Sequence, residues 1–296
     1  MLRVQESRVR VPMLFAMLKL LVRLTAGVVF VLAATAAGPV SNGVFALQGG
    51  TSHALGFMQS TPLATGTLGR RLDLWMTPKG ERAPLRRYAL DMTKYLHLIV
   101  VSDDFTHFAH LHPNLASDGH FRIDDVFPDA GRYHIYADGE PSGMGEQVFR
   151  FDLQAGGPSL AATRFVAPTG PTQVAGPYEV TLSDTTLRAG QEGELDVEIL
   201  HDGRAATDLH PYLGALAHAV FLNAGDLSYV HVHPTALGDP MGDMAHVHVK
   251  ALPPTANSSP HMRLMVDLHE RGRYRLWLQF RGGTELYVVP FTVQAK

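Results

Sequence analysis

Residues 97–113 read HLIVVSDDFTHFAHLHP, and residues 218–234 read HAVFLNAGDLSYVHVHP. The two stretches align without a gap at a constant offset of 121 residues, pairing His97 with His218, His110 with His231, His112 with His233 and Phe108 with Tyr229. A second echo follows: GRYHIY at 131–136 answers GRYRLW at 272–277, at an offset of 141, so the second copy carries a longer insertion between the two motifs. A shared H-x12-H-x-H-P frame followed by a shared G-R-Y strand marks an internal duplication.

Each frame reads as a β-hairpin: an apolar, β-branched run, a polar turn, then an aromatic run stopped by proline. In the second copy a two-residue turn at Gly225 and Asp226 pairs residues whose numbers sum to 451, which sets His218 opposite His233 and Val220 opposite His231. In the first, a turn at Asp104 and Phe105 gives a sum of 209 and sets His97 opposite His112. Opposed residues and their i+2 neighbours project to one face, with cross-strand β-carbons about 4.5–5.5 Å apart and i+2 neighbours about 7 Å apart. Two trios are therefore predicted, His97, His110 and His112 in one half, and His218, His231 and His233 in the other. His107 falls outside the frame, because the copy has Ser228 there and alternation turns it to the other face.

Three imidazoles on one face suit a transition metal, since neutral imidazole is the commonest ligand for zinc, copper, nickel and iron. Copper or zinc is the expected ion. No carboxylate belongs to the repeated frame, which argues against calcium or magnesium there. The chain has no cysteine, so a blue-copper electron-transfer centre is excluded. The competing reading is structural: Ile99 and Val101 share the histidine face and Leu98 and Val100 lie opposite, so the rings could be hydrogen-bonded core residues. A weaker candidate set, Met241, Met244, His246 and His248, lies in the second half's insertion, where thioether and imidazole together suit copper but methionine also serves as core filler. His120 and His134 are unmatched in the second copy and read as structural, while His53, His201 and His261 read as solvated loop residues.

The remaining sequence sets the context. Arg3, Arg8, Arg10, Lys19 and Arg23 precede an apolar run, LTAGVVFVLAATAA at 24–37, that ends in small residues, so residues 1–46 read as a signal peptide or an N-terminal membrane anchor. Removing the five basic residues and one Glu of positions 1–36 leaves 20 Lys/Arg against 27 Asp/Glu, a net −7, which argues against nucleic acid as a partner. With 28 glycines and 19 prolines, turns are frequent, and short strand-like segments recur without helical periodicity. The fold class is all-β: two tandem duplicated β-sandwich domains after an N-terminal hydrophobic helix. Residues 47–69 read as a flexible lead-in, 70–155 as the first sandwich, 156–175 as a Gly/Pro-rich linker and 176–296 as the second sandwich. No G-x-S-x-G elbow, phosphate loop, dinucleotide fingerprint or H-E-x-x-H occurs, so the chain is not read as an enzyme; a metal-dependent oxidase or hydrolase is the third reading.

The stretches HLIVVSDDFTHFAHLHP…GRYHIYAD and DLHPYLGALAHAVFL…YVHVHP…GRYRLWLQF resemble bacterial secreted and cell-envelope proteins with tandem cupredoxin-like or immunoglobulin-like modules, associated with heavy-metal handling. The resemblance covers most of 70–153 and 176–296 and implies an exported tandem β-sandwich. It implies copper or another metal ion as ligand and envelope metal-handling proteins as partners, with membrane contact only through an uncleaved N-terminal segment. The expected function is metal buffering or transfer, the alternative a structural or interaction module of the envelope.

Overall fold

The computed structural model describes residues 53–64, 66, 68–157, 170–239 and 251–296, together with the backbone of Val44–Phe45. Every regular element among them is a β-strand. Among these residues no helix is long and apolar enough to cross a membrane. The predicted N-terminal helix and the set Met241, Met244, His246 and His248 lie outside the described residues.

The first half is a sandwich of two sheets. Its inner sheet runs in the order Val44–Phe45, Gln147–Ala155, Gly131–Pro141, His97–Ser102, Phe108–Leu111. Its outer sheet runs Ala54–Pro62, Gly69–Pro78, Phe121–Val126, Asn114–Leu115. The second half repeats the plan. There the inner sheet is Thr186–Leu187, Glu285–Ala295, Gly272–Gly282, His218–Asn223, Tyr229–Val232, and the outer one is Thr172–Ala175, Tyr178–Leu182, Glu192–His201, His261–Asp267, Thr235–Ala236. The HDGR turn closes as a tight hairpin, with Asp202 and Gly203 at φ 48° and 75°, values that a two-residue turn between twisted strands requires.

Three apolar clusters show how the sheets stack. Leu98 and Val100 face the first sandwich core with Leu72, Phe121 and Phe151. Ala219 and Phe221 face the second with Leu264 and Phe291. The opposite faces of the same strands, Ile99 and Val101 with Val220 and Leu222, meet each other in a third cluster with Tyr136, Tyr229 and Trp277. The two inner sheets are therefore packed against one another, giving four layers, and each histidine hairpin is buried on both faces. This accounts for the apolar residues on both faces of the hairpins, since period-2 alternation shows polar residues only where one face meets water.

The contacts between the halves come in exchanged pairs, as in a two-fold dimer interface. Tyr136 of the first half stacks on Tyr229 of the second at 4.8 Å. The equivalent pair, Trp277 of the second half and Phe108 of the first, stacks at 4.9 Å.

Two boundaries differ from expectation. Ala54–Pro62 is no flexible lead-in but an edge strand paired along its length with Gly69–Pro78. Its burial is confined mainly to Ala54 and Met58, so its alternation is too weak to read, and the backbone ladder specifies it instead. The second sandwich begins at Thr172–Ala175, an exposed edge strand inside the predicted linker, for the same reason. Residues 158–169 of that linker lie outside the described residues.

Candidate metal centre

Both hairpins adopt the register expected from their turns. Ile99 pairs with His110 and Val101 with Phe108 in the first, and Val220 with His231 and Leu222 with Tyr229 in the second. Because the histidine faces are the ones turned toward the opposite half, the two predicted trios do not form separate sites. All six rings gather where the sheets meet. His97 lies with its ring centroid 5.0 Å from His110, 5.1 Å from His112 and 5.1 Å from His231. His110 lies 5.2 Å from both His218 and His231.

One nitrogen from each of His97, His110, His218 and His231 lies within 4.8 Å of the other three. His97 Nδ1 is 2.8 Å from His110 Nε2, and His218 Nδ1 is 3.3 Å from His231 Nε2 and 3.0 Å from His233 Nε2. A tetrahedral zinc with bonds of about 2.0–2.1 Å holds its nitrogens about 3.3–3.4 Å apart, so to hold an ion the His97 and His110 nitrogens must move apart while any wider pairs of the set draw in. His97, His110 and His218 are almost fully buried, whereas His112 and His233 are partly exposed at the rim.

The outer nitrogens decide what the inner ones can do. His97 Nε2 faces the Asp91 carbonyl at 3.4 Å and its carboxylate at 3.3 Å, both acceptors. The two-fold equivalent, His218 Nε2, donates to the Tyr212 carbonyl at 2.9 Å. These carbonyls are held by tight turns at 91–94 and 212–215, where Met92 and Leu213 take equivalent left-handed conformations, φ 53° and 51°. The turns touch across the halves, with Thr93 Oγ1 donating to the Leu213 carbonyl. His110 Nδ1 donates across the interface to Gln279 Oε1 at 2.7 Å, and His231 Nδ1 reaches Asp138 Oδ2 at 3.4 Å. Asp138 and Gln279 are themselves equivalent, one on each central strand, opposite His97 and His218 respectively.

With the His97 proton on Nε2, toward the Asp91 oxygens, and the His110 proton on Nδ1, toward Gln279, both inner nitrogens present lone pairs. Two lone pairs 2.8 Å apart repel unless a cation lies between them. An outer N–H held by a carbonyl or carboxylate and an inner lone pair turned to a common point is the arrangement that orients metal-binding histidines. The residues present fit a metal ion, and the buried histidines could hold one. Burial also keeps the rings neutral: it lowers His97 to about 3, helped by the neighbouring His112, and puts His110, His218, His231 and His233 well below the usual histidine range. Burial and the nearby Glu146 charge hold the Asp138 carboxyl well above the usual carboxylate range.

Among the described residues, the other histidines sit apart from this cluster. His134 is clamped between Asp103 and Asp152, and His120 is bonded to Asp73 and stacked on Trp75, in keeping with structural roles. His53 and His261 are exposed, but neither His201 nor His261 is a loop residue: His201 ends one strand, partly buried against Asp208 and Tyr178, and His261 begins another, paired with Glu198. Asp91, Asp138 and Gln279 escaped the sequence reading. The signal was available for the last two, because GRYHIYAD and GRYRLWLQ place polar side chains at the same position of two otherwise apolar strands.

Comparison with curated proteins returns no match. Among solved structures the chain is similar to Escherichia coli alpha-2-macroglobulin activated by porcine elastase, with 12% identity and a TM-score of 0.24, over 82% of this chain and 23% of that one. It is also similar to the chicken interferon gamma receptor alpha chain, with 9% identity and a TM-score of 0.22, over 80% of this chain and 96% of that one. The chain thus spans about a quarter of the macroglobulin's length. A family model matches residues 58–156 and again 172–296, the two sandwiches, and the chain belongs to that family, described as Domain of unknown function (DUF8832).

Proposed function

We propose that the protein is an exported metal-binding protein that buffers or transfers copper or zinc through one centre shared by its two halves. The observation that carries this reading is the convergence of His97, His110, His218 and His231, with outer nitrogens on oxygen partners and inner nitrogens facing one another. An all-imidazole set suits zinc or copper rather than calcium or magnesium. One carboxylate, Asp91, stands within reach of the rings and would offset part of the charge of a divalent ion. The basic and apolar leader and the resemblance to envelope proteins support export and an extracytoplasmic location, with envelope metal-handling proteins as partners.

The competing reading is a structural one, in which protons join the rings into a hydrogen-bonded plug between the sandwiches. The short contact between His97 and His110 would serve it if Gln279 turned its amide nitrogen toward His110. Titration of the purified chain with Zn2+ and Cu2+ separates the two. The metal reading expects one tightly held ion per chain, lost in the His110→Ala, His231→Ala double variant. No uptake, or uptake unchanged in that variant, leaves the structural reading.

A further inference from the structure

The duplication is symmetric in its histidines but not in its acids. Asp91 has Tyr212 as its equivalent, and Asp138 has Gln279, so both carboxylates near the centre belong to the first half. Asp138 is directed at His231 of the second half, and Asp91, whose carboxylate lies 3.3 Å from His97, also comes near it. Asp138 Oδ2 lies 3.4 Å from His231. One Asp91 oxygen and one nitrogen each of His231 and His233 lie within 4.8 Å of one another. This second set differs from the inner four in exposure: the Asp91 side chain is 41% exposed, where His97 beside it is 1% exposed. Its two-fold mate would be Tyr212, His110 and His112, in which a phenol replaces the carboxylate.

We propose that Asp91, His231 and His233 form an outer station through which a divalent cation passes to and from the inner four-histidine site. The inference rests on the metal reading above and assigns the route to one side of the centre. A hydrated ion meets the exposed carboxylate first, drawn by its charge. It sheds waters one at a time, each replaced by a protein oxygen or nitrogen, first Asp91 and His233, then His231. His231 belongs to both sets, so it is the ligand that carries over as His97, His110 and His218 replace Asp91 and His233. No electron is transferred. At Tyr212 itself a phenol stands where Asp91 offers an anion, so the passage is assigned to the Asp91 side.

Stopped-flow loading of the full chain with Co2+, followed by its visible absorption, and release into excess EDTA test this. Asp91→Asn should load about tenfold more slowly or worse, tenfold being the lower end of what a focused charge does for association, and should also release more slowly, since the same passage serves both directions. His233→Gln, which leaves the 91–94 turn intact, should slow both as well, and melting curves report the fold of each variant. Loading of Asp91→Asn within twofold of the natural chain overturns the proposal. Faster release from that variant also overturns it, because Asp91 would then act on the resting ion rather than on its passage. Failure of the natural chain to take up Co2+, Zn2+ or Cu2+ overturns the metal reading itself, and the station with it.

Discussion

Replacing His97 by leucine should have opposite meanings with and without metal. His97 is 1% exposed, and an ordinary buried, hydrogen-bonded side chain would cost about 1–3 kcal/mol to replace. Here the outer contacts to the Asp91 carbonyl and carboxylate, 3.4 and 3.3 Å, orient the ring proton but are long and add little stability. The inner contact sets one lone pair against another at 2.8 Å, and leucine removes that repulsion. The metal-free variant should therefore lie within about 1 kcal/mol of the natural chain, roughly 2–4 °C in Tm for a body of this size. Metal at a hundred times its Kd adds about 2.7 kcal/mol to the natural chain, or about 5–10 °C, and should add nothing to the variant. Scanning calorimetry in chelator, then in graded Zn2+, reads both arms. A loss of about 3 kcal/mol or more in chelator, with a natural chain whose Tm ignores metal, would refute the reasoning: a proton would then join the two rings, and the histidines would be core residues.

Three further outcomes follow from the same geometry. Gln279→Leu removes the oxygen that orients His110 and should lower metal affinity about 10–100-fold, read by competition with a calibrated chelator; without metal it should cost about 1–3 kcal/mol, because the buried His110 Nδ1–H loses its acceptor. Trp277→Ala takes away a ring stacked on both Phe105 and Phe108 between the halves and should cost about 3–5 kcal/mol in urea unfolding; because the centre draws ligands from both halves, metal affinity should fall with it. Leu213→Gly relieves a left-handed conformation at φ 51° and should stabilise the chain by up to about 1 kcal/mol, visible as a rise of a few degrees in Tm.

The hairpins were legible in detail because local rules specify them. Turn residues and proline stops give the pairing, and the register that follows places His110 beside Ile99 and His231 beside Val220 as expected. What covers the histidine face was not legible. Ile99 and Val101 announced only that this face is buried, and nothing local distinguishes the second half of the same chain from a helix or another molecule as the cover. The merging of two trios into one cluster is for that reason a tertiary fact. Asp91 was hidden differently: it sits in a turn six residues before His97, and only the fold of that turn brings its carbonyl and carboxylate back to the ring. The edge strands Ala54–Pro62 and Thr172–Ala175 escaped because a strand that buries few side chains leaves little alternation to read.

The face-to-face packing of the halves has a consequence for concentration. A centre on a dimer axis exists only while two subunits are associated, so dilution dismantles it. Here the same exchange of contacts, Tyr136 on Tyr229 and Trp277 on Phe108, occurs within one chain. Assembly is unimolecular, and the effective concentration of one hairpin near the other is set by the covalent link rather than by abundance. A single polypeptide also escapes the rule that both partners be identical. That freedom allows Asp138 in one half where the other has Gln279, and Asp91 where the other has Tyr212, an inequality that an association of identical copies could not encode.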